Sequence, residues 1–371
     1  MVDESSVLTE VKNGTGVIKL NRSKSINSLN AEMVKVIHTQ LQEWKTDERI
    51  VVVLIDGEGQ KGLCAGGDMR TFYDLKESNV NEYAETFFGT EYKMDYEISH
   101  YPKPVVVYMS GIVMGGGVGL SIGAGNRIVT EKTKWAMPEM NIGFFPDVGV
   151  SYFLSKMPGY VGRYLALTAA VIKAEDVLYT GAADLYLESE KWPELKKAIE
   201  NKHWTLSTVS EDLEQVLQMY CHNTAESSPL AGHQEKIDEH FQYRRVEEIV
   251  ASLTYAAENG DEWAEQTRSR ILAKSPTSLK VTLRNLETAK NKTLAECFQL
   301  DMILAMNFMR CHDFYEGVRA VLVDKDKKPT WEPAILQEVE DQAVDAFFHY
   351  NKWEGGRHPL AQLSKNTEVN L

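Results

Sequence analysis

Along the first half of the chain, apolar residues alternate between short continuous runs and helically spaced stripes. Val17–Leu20 is a short apolar run. Val51–Ile55 is a continuous, largely β-branched one, the pattern of a strand buried on both faces. Val105–Tyr108, introduced by Pro102 and Pro104, and Arg127–Thr130 predict two further strands. Between them, Asn30 predicts the cap of a helix in which Met33, Ile37, Leu41 and Trp44 share one face. Ser78–His100 carries helical spacing in a polar background, and glycine-rich sequence follows two of the strand-like runs. Strands alternating in this way with glycine turns and helices predict an α/β domain.

The pattern changes near Glu188. From there to about Asn259 the chain is charged and helically spaced. Trp263–Lys274 and Leu279–Ala289 predict helices on either side of a Ser275-Pro276-Thr277 break, and Thr293–Met309 predicts another. The expected organisation is an α/β core over residues 1–187 and a mostly helical region over residues 188–371.

Composition narrows the function classes. A chain of 371 residues, 43% of them hydrophobic, can build one large core, or a core and a smaller domain. A net charge of -14 has the wrong sign for a nucleic-acid binder, though it leaves room for a local cationic cluster facing an anionic ligand. The four cysteines, Cys64, Cys221, Cys297 and Cys311, show no CxxC spacing, so reduced thiols are expected rather than a zinc site or a disulfide framework. No apolar run is long enough to span a membrane. Residues 1–16 are polar and acidic, unlike a signal or transit peptide, and Val369-Asn370-Leu371 is not a peroxisomal address. A cytoplasmic setting is expected, or a mitochondrial one if the chain is a processed eukaryotic form.

Two short motifs carry little chemistry. Gly57-Glu58-Gly59-Gln60-Lys61-Gly62 fits GxGxxG after a strand, but no helix opens at its last glycine, so a surface turn is expected rather than a dinucleotide site. Gly119-Leu120-Ser121-Ile122-Gly123 fits GxSxG, but Ser121 falls inside a helix begun near Gly116. A small packing residue is expected there, not a nucleophile.

The candidate chemistry lies in two glycine-rich segments, Cys64-Ala65-Gly66-Gly67-Asp68 and Met114-Gly115-Gly116-Gly117-Val118-Gly119, each after a buried strand. Free N–H groups at such turns, aimed at one point, would make an oxyanion hole; tight turns with close helix packing would leave the same sequence trace. Glu139 follows Pro138 at a strand end, and Asp147 follows Pro146 before a predicted helix over Val148–Lys156, where it could serve as the cap.

These segments resemble the crotonase (enoyl-CoA hydratase/isomerase) superfamily. Both glycine segments look like crotonase oxyanion segments, Leu20–Asn30 looks like the first coenzyme A-contacting segment, and Met137-Pro138-Glu139 resembles the segment carrying the catalytic glutamate. Phe145-Pro146-Asp147-Val148-Gly149, Phe88–Tyr92, Ser275–Lys280 and the run from Met309 to Asp326 resemble the 3-hydroxyisobutyryl-CoA hydrolase branch. The resemblance covers roughly residues 10–335 and implies a spiral of ββα units, followed here by the helical region. It implies catalytic roles for Glu139 and Asp147, and oxyanion contacts from the Gly67 and Gly116 N–H groups. Glu91, Gly116, Glu139 and Asp147 would contact the acyl part of the substrate. Arg22, Lys24, Ala65, Asp68 and Met69 would contact coenzyme A, with Arg310 and Arg319 as further candidates for phosphate. Coenzyme A enters as part of an acyl-CoA substrate, with no separate cofactor. Crotonases often form trimers, which brings a homo-oligomer into view.

One departure points away from hydration. Enoyl-CoA hydratases carry a second catalytic glutamate at the position matching Gly119, and glycine can act as neither acid nor base. The implied activity is hydrolysis of a short hydroxyacyl-CoA thioester, with a hydratase or isomerase of the same fold as the alternative.

Overall fold

The computed structural model describes residues 5–222 and 228–363. The C-terminal tripeptide considered above lies outside the described residues. Nine strands, β1 (Val7–Lys12), β2 (Thr15–Leu20), β3 (Val52–Gly57), β4 (Gly62–Cys64), β5 (Val105–Met109), β6 (Ile112–Met114), β7 (Asn126–Val129), β8 (Lys134–Ala136) and β9 (Leu185–Tyr186), are found among the described residues. They form a six-stranded sheet in the order β1-β2-β3-β5-β7-β9 and a three-stranded sheet in the order β4-β6-β8. Only the β1–β2 pair is antiparallel. From β3 onwards consecutive strands alternate between the two sheets, and helices follow β4 and β6. This is the spiral of ββα units expected from the resemblance.

The helices, in chain order, are α1 (Ala31–Thr46), α2 (Met69–Asp74), α3 (Val80–Ser99), α4 (Gly116–Ile122), α5 (Val150–Leu154), α6 (Val161–Thr168), α7 (Ala174–Tyr179), α8 (Trp192–Asn201), α9 (Val209–Tyr220), α10 (Gln234–Phe241), α11 (Val246–Glu258), α12 (Glu262–Leu272), α13 (Pro276–Ala289), α14 (Leu294–Phe308), α15 (His312–Val318) and α16 (Asp341–Ala346). The Asn30 side chain accepts the Met33 N–H at 2.9 Å, and α1 buries Met33, Val34, Ile37, Leu41 and Trp44, as its spacing requires. The Ser275-Pro276 break proves to be a helix start. Ser275 caps α13 by accepting the Ser278 N–H, and Pro276 occupies the first turn, where its missing N–H costs nothing. β1 was absent from the expected elements. Its residues between Val7 and Lys12 are exposed, as on an edge strand, and it turns into β2 through Asn13 and Gly14, both at positive φ, the signature of a type I′ hairpin.

Where the sequence pattern suggests one boundary after residue 187, the chain groups into two interleaved compact units. The first comprises Met1–Gly67, Lys93–Ala136 and Val171–Ala231; the second comprises Asp68–Tyr92, Met137–Ala170 and Gly232–Leu371. The first holds both sheets. Val17, Val52, Leu54, Val106 and Ile128 pack there against Leu195 and Ile199 of α8 and Val209, Leu213, Val216 and Leu217 of α9. Each such side chain contributes about 1.5–3 kcal/mol when fully buried, which draws α8 and α9 into the α/β unit despite their polar sequence. Val53 and Ile55 alternate onto the opposite face and are equally buried, so β3 is covered on both sides. The second unit is helical. Its core is aromatic, with Phe72, Phe87, Phe88 and Tyr92 grouped with Phe144, Phe145, Phe298, Phe308 and Phe314.

Candidate active site

In the first unit, β4 and β6 run side by side, and the two glycine segments leave their adjacent C-terminal ends. A Cβ placed on Gly117 would lie 2.6 Å from the Cys64 carbonyl oxygen, so only glycine lets the start of α4 approach the end of β4 this closely. A Cβ on Gly66 would come within 3.9 Å of the Gly116 nitrogen, which measures how near the two segments lie. Among the described residues, neither the Gly67 nor the Gly116 N–H is taken by a backbone carbonyl, which leaves both available as donors.

The Leu20–Asn30 segment joins this cluster. The Ala65 N–H donates to Ile26 O at 3.0 Å, and the Leu29 N–H donates to Gly66 O at 2.8 Å. Arg22 is anchored by its Nη1 to Ser28 O at 2.6 Å, while Lys24 is exposed. The structure therefore brings Arg22, Lys24, Ala65, Gly67 and Gly116 into one region of the first unit. Asp68 and Met69 stand at the start of α2, in the second unit.

Glu91, Glu139 and Asp147 also belong to the second unit, and all three are buried. Glu139 begins a short 3-10 turn, Glu139–Ile142, directly after Pro138. Among the described residues, its Oε2 is buried with no hydrogen-bond partner. Asp147 does not cap the following helix: Gly149 occupies the capping position, with no side-chain cap bond. The Asp147 carboxylate instead accepts the Tyr92 hydroxyl at 2.7 Å. Its side chain is thus held by a buried tyrosine rather than spent on a helix end, so the cap explanation falls away. Glu91 precedes Tyr92 on α3 and, like Asp147, pushes the Tyr92 phenol upward, after burial as the main cause.

The two carboxyls are electrostatically linked. Burial pushes the Glu139 carboxyl well above the ordinary range, and the charge on Asp147 pushes it further. Burial also raises Asp147, to about 7, with the Tyr92 hydroxyl pulling in the opposite direction. The aromatic core supplies the dry surroundings: the Tyr92 ring lies 5.5 Å from Phe88 and 5.8 Å from Phe298. A buried acidic pair with separated environments is an arrangement suited to general acid–base or nucleophilic work near neutral pH.

Several other expectations resolve locally. Ser121 is buried in α4, with its hydroxyl on Gly117 O at 2.9 Å, a packing role. Gly57 and Gly62 end β3 and begin β4, so the GxGxxG match is a strand-to-strand turn. Arg319 is bound by Glu316, Asp324 and Asp326 at 2.7–2.9 Å, which commits it to an ion-pair network rather than to phosphate. Arg310 lies over the Tyr350 ring at 4.8 Å. Ser275 donates to the buried Asp313 at 2.5 Å, and that carboxyl also accepts the Glu332 N–H, so the Ser275–Lys280 and Met309–Asp326 motifs are joined structurally. All four cysteines are free. No group of residues that could hold a metal ion occurs among the described residues.

Two residues of the second unit were not singled out by sequence. Tyr92 was legible only as part of the Phe88–Tyr92 segment. Asp301, fully buried in α14, accepts the Gly149 N–H at 2.8 Å, two residues beyond Asp147. Its signal was a single carboxyl inside the otherwise apolar run from Leu300 to Met306.

The chain is similar to known proteins along most of its length. A family model described as enoyl-CoA hydratase/isomerase matches residues 15–348. A Gallus gallus protein named 3-hydroxyisobutyryl-CoA hydrolase, mitochondrial, is 40% identical over 348 residues, 93% of this chain and 89% of its own length. The Neurospora crassa small ribosomal subunit protein mS47 is 39% identical over 340 residues, 87% of this chain and 66% of its own. The crystal structure of a carnitinyl-CoA dehydratase from Mycobacterium thermoresistibile matches with a TM-score of 0.86 at 35% identity, covering 94% of this chain and 98% of that one.

Proposed function

Because the chain belongs to the enoyl-CoA hydratase/isomerase family, we propose that it hydrolyses a short hydroxyacyl-CoA thioester, foremost 3-hydroxyisobutyryl-CoA, to the free hydroxy acid and coenzyme A. The observation that carries this reading is the buried Glu139–Asp147 pair, with Asp147 held by Tyr92, in a chain that has Gly119 at the position of the hydratases' second glutamate.

Glu139 delivers the nucleophile: either its own unengaged Oε2, which forms an anhydride, or a water whose proton it takes. The new C–O bond sends the carbonyl electrons to oxygen, where the Gly67 and Gly116 N–H groups stabilise them. Losing one such donor typically costs about 2.7–4 kcal/mol in the barrier. Collapse breaks the C–S bond and releases the thiolate. A thiol pKa of roughly 8.5 makes this a good leaving group without a strong acid. On the anhydride route, water then cleaves the acyl–enzyme. Asp147 orients the attacking water or the substrate hydroxyl and exchanges a proton with Glu139. Glu91 takes the substrate hydroxyl. Arg22, Lys24, Ala65, Asp68 and Met69 hold the coenzyme A portion. The steps draw on no separate cofactor.

The mitochondrial name of the relative supports a mitochondrial setting over a cytoplasmic one, and the substrate places the reaction in valine degradation. A substrate panel followed by free-thiol release tests the reading. Both 3-hydroxyisobutyryl-CoA and 3-hydroxypropionyl-CoA should react, within about 200-fold of one another, since a methyl group decides no more than that. Isobutyryl-CoA, which leaves the hydroxyl-binding group unpaired, should be at least ~100-fold slower. Equal rates with and without the hydroxyl would contradict the role given to Glu91.

A further inference from the structure

Asp301 is fully buried in the middle of α14, among apolar neighbours that give no packing reason for a carboxyl. Both of its oxygens are engaged. Oδ2 accepts the Gly149 N–H at 2.8 Å, and Oδ1 faces Asn285 Nδ2 of α13 at 3.3 Å. Gly149 ends a turn of unusual backbone: Val148 has φ +54° and Gly149 has φ +71°. A β-branched residue at positive φ is strained and persists only where its surroundings hold it. Asp147 is therefore fixed from two sides, directly by the Tyr92 hydroxyl and through the backbone of the turn that Asp301 clasps.

We propose that Asp301 is a positioning residue for the hydrolysis: as a neutral carboxylic acid it locks the strained turn after Asp147, and so aims the Asp147 carboxylate while leaving it the negative charge. The proposal rests on the hydrolase reading above.

The groups around Asp301 favour its neutral form. Asp147 faces it from the loop, Tyr92 from α3, Asn285 from α13 and Cys297 from one turn earlier on its own helix. Glu139 lies beyond Asp147, and Glu91 beyond Tyr92. Among the described residues, Asp301 has no ion-pair partner. Burial, then the charge on Asp147, push its carboxyl well above the ordinary range, against the pull of the Gly149 and Asn285 contacts. Asn285 also offers a matching acceptor. Its Oδ1 is buried without a hydrogen-bond partner among the described residues, and a half-turn of the amide would present it to a proton on Asp301.

The test compares the full-length wild type with Asp301→Asn and Asp301→Ala. Folding is checked by circular dichroism, and thiol release from 3-hydroxyisobutyryl-CoA is followed from mildly acidic to alkaline pH, so that an ionising carboxyl shows in the profile. Asp301→Ala frees the Gly149 N–H, and its kcat should fall at least ~10-fold with KM nearly unchanged, the pattern of a misaimed group. Asp301→Asn keeps a neutral acceptor for that N–H and should rescue most of the loss near neutral pH. In the wild type, activity should decline at high pH as Asp301 ionises beside Asp147. In Asp301→Asn that decline should move up by about one pH unit or more, or vanish, because the titrating group is gone. Should Asp301→Ala fail to fold, the pH profile of Asp301→Asn decides alone. An unmoved alkaline limb, or wild-type turnover by a folded Asp301→Ala, overturns the proposal. A wild type that releases no thiol overturns the hydrolase reading itself, and this proposal with it.

Discussion

Asp147 carries the most consequential correction. As a residue before a helix it invited reading as a cap, yet its carboxylate turns to Tyr92 and its pKa rises to about 7. A carboxyl raised in the folded state keeps its proton there after the unfolded chain has lost its own. Its contribution to stability is therefore complete below the ordinary carboxylate pKa and is lost as pH rises through about 7. Full ionisation would cost on the order of 4 kcal/mol at most, since each tenfold change in proton affinity is worth about 1.36 kcal/mol. Asp147→Asn keeps an acceptor for Tyr92 and removes this cost. It should melt several degrees above the wild type at about pH 8, with the gap closing towards about pH 4, while turnover collapses. Calorimetry across that range checks it; a variant less stable than the wild type at high pH would contradict the assignment. Glu139 titrates with Asp147 as a pair, so wild-type kcat/KM should climb through about pH 7 as the pair loses its first proton. The roles proposed for Glu139, Gly67 and Gly116 came only through resemblance, because burial and free N–H groups are tertiary properties that no local pattern records. Asp301 had a local signal, one acid in an apolar stripe, whose meaning depended on the strained turn packed against it.

Elements whose amphipathic spacing and caps agree were readable: α1 by Asn30 and its 3–4 spacing, β3 and β5 by continuous apolar runs. β1 was not, because an exposed edge strand lacks alternation. The Asn13-Gly14 pair was its available sign. The helix starting at Pro276 rather than Leu279 shows the same point from the other side, since a proline that breaks one helix suits the first turn of the next. At this scale the closest fit is α4 against β4. Gly117→Ala would drive a Cβ to 2.6 Å from the Cys64 carbonyl, where backbone, not a flexible side chain, must yield. The displacement reaches the Gly67 and Gly116 N–H groups, so kcat/KM should drop by about 100-fold or more in a chain that still folds. Thiol-release kinetics with circular dichroism separates this from simple unfolding. Unchanged kinetics would remove the glycine segments from the mechanism.

For the whole molecule, the α/β class and helical remainder followed from the order of apolar runs, but the interleaving of the two units did not. Which unit α8 and α9 join is decided by the sheet face they cover, a non-local fact with no periodic trace. Similar chains also carry different names, a hydrolase, a dehydratase and a ribosomal subunit protein, so the fold alone does not decide the activity. The proposed hydrolysis rests on side chains: a buried acidic pair is present, and by resemblance Gly119 stands where the hydratases carry their second glutamate. The most direct measurement gives the wild type and Glu139→Gln 3-hydroxyisobutyryl-CoA and crotonyl-CoA in parallel, following free thiol and enoyl absorbance. The wild type should release thiol from the first substrate and leave the enoyl absorbance of the second intact, and Glu139→Gln should lose about 1,000-fold or more in kcat. Loss of enoyl absorbance without thiol, or wild-type thiol release by Glu139→Gln, would contradict the account.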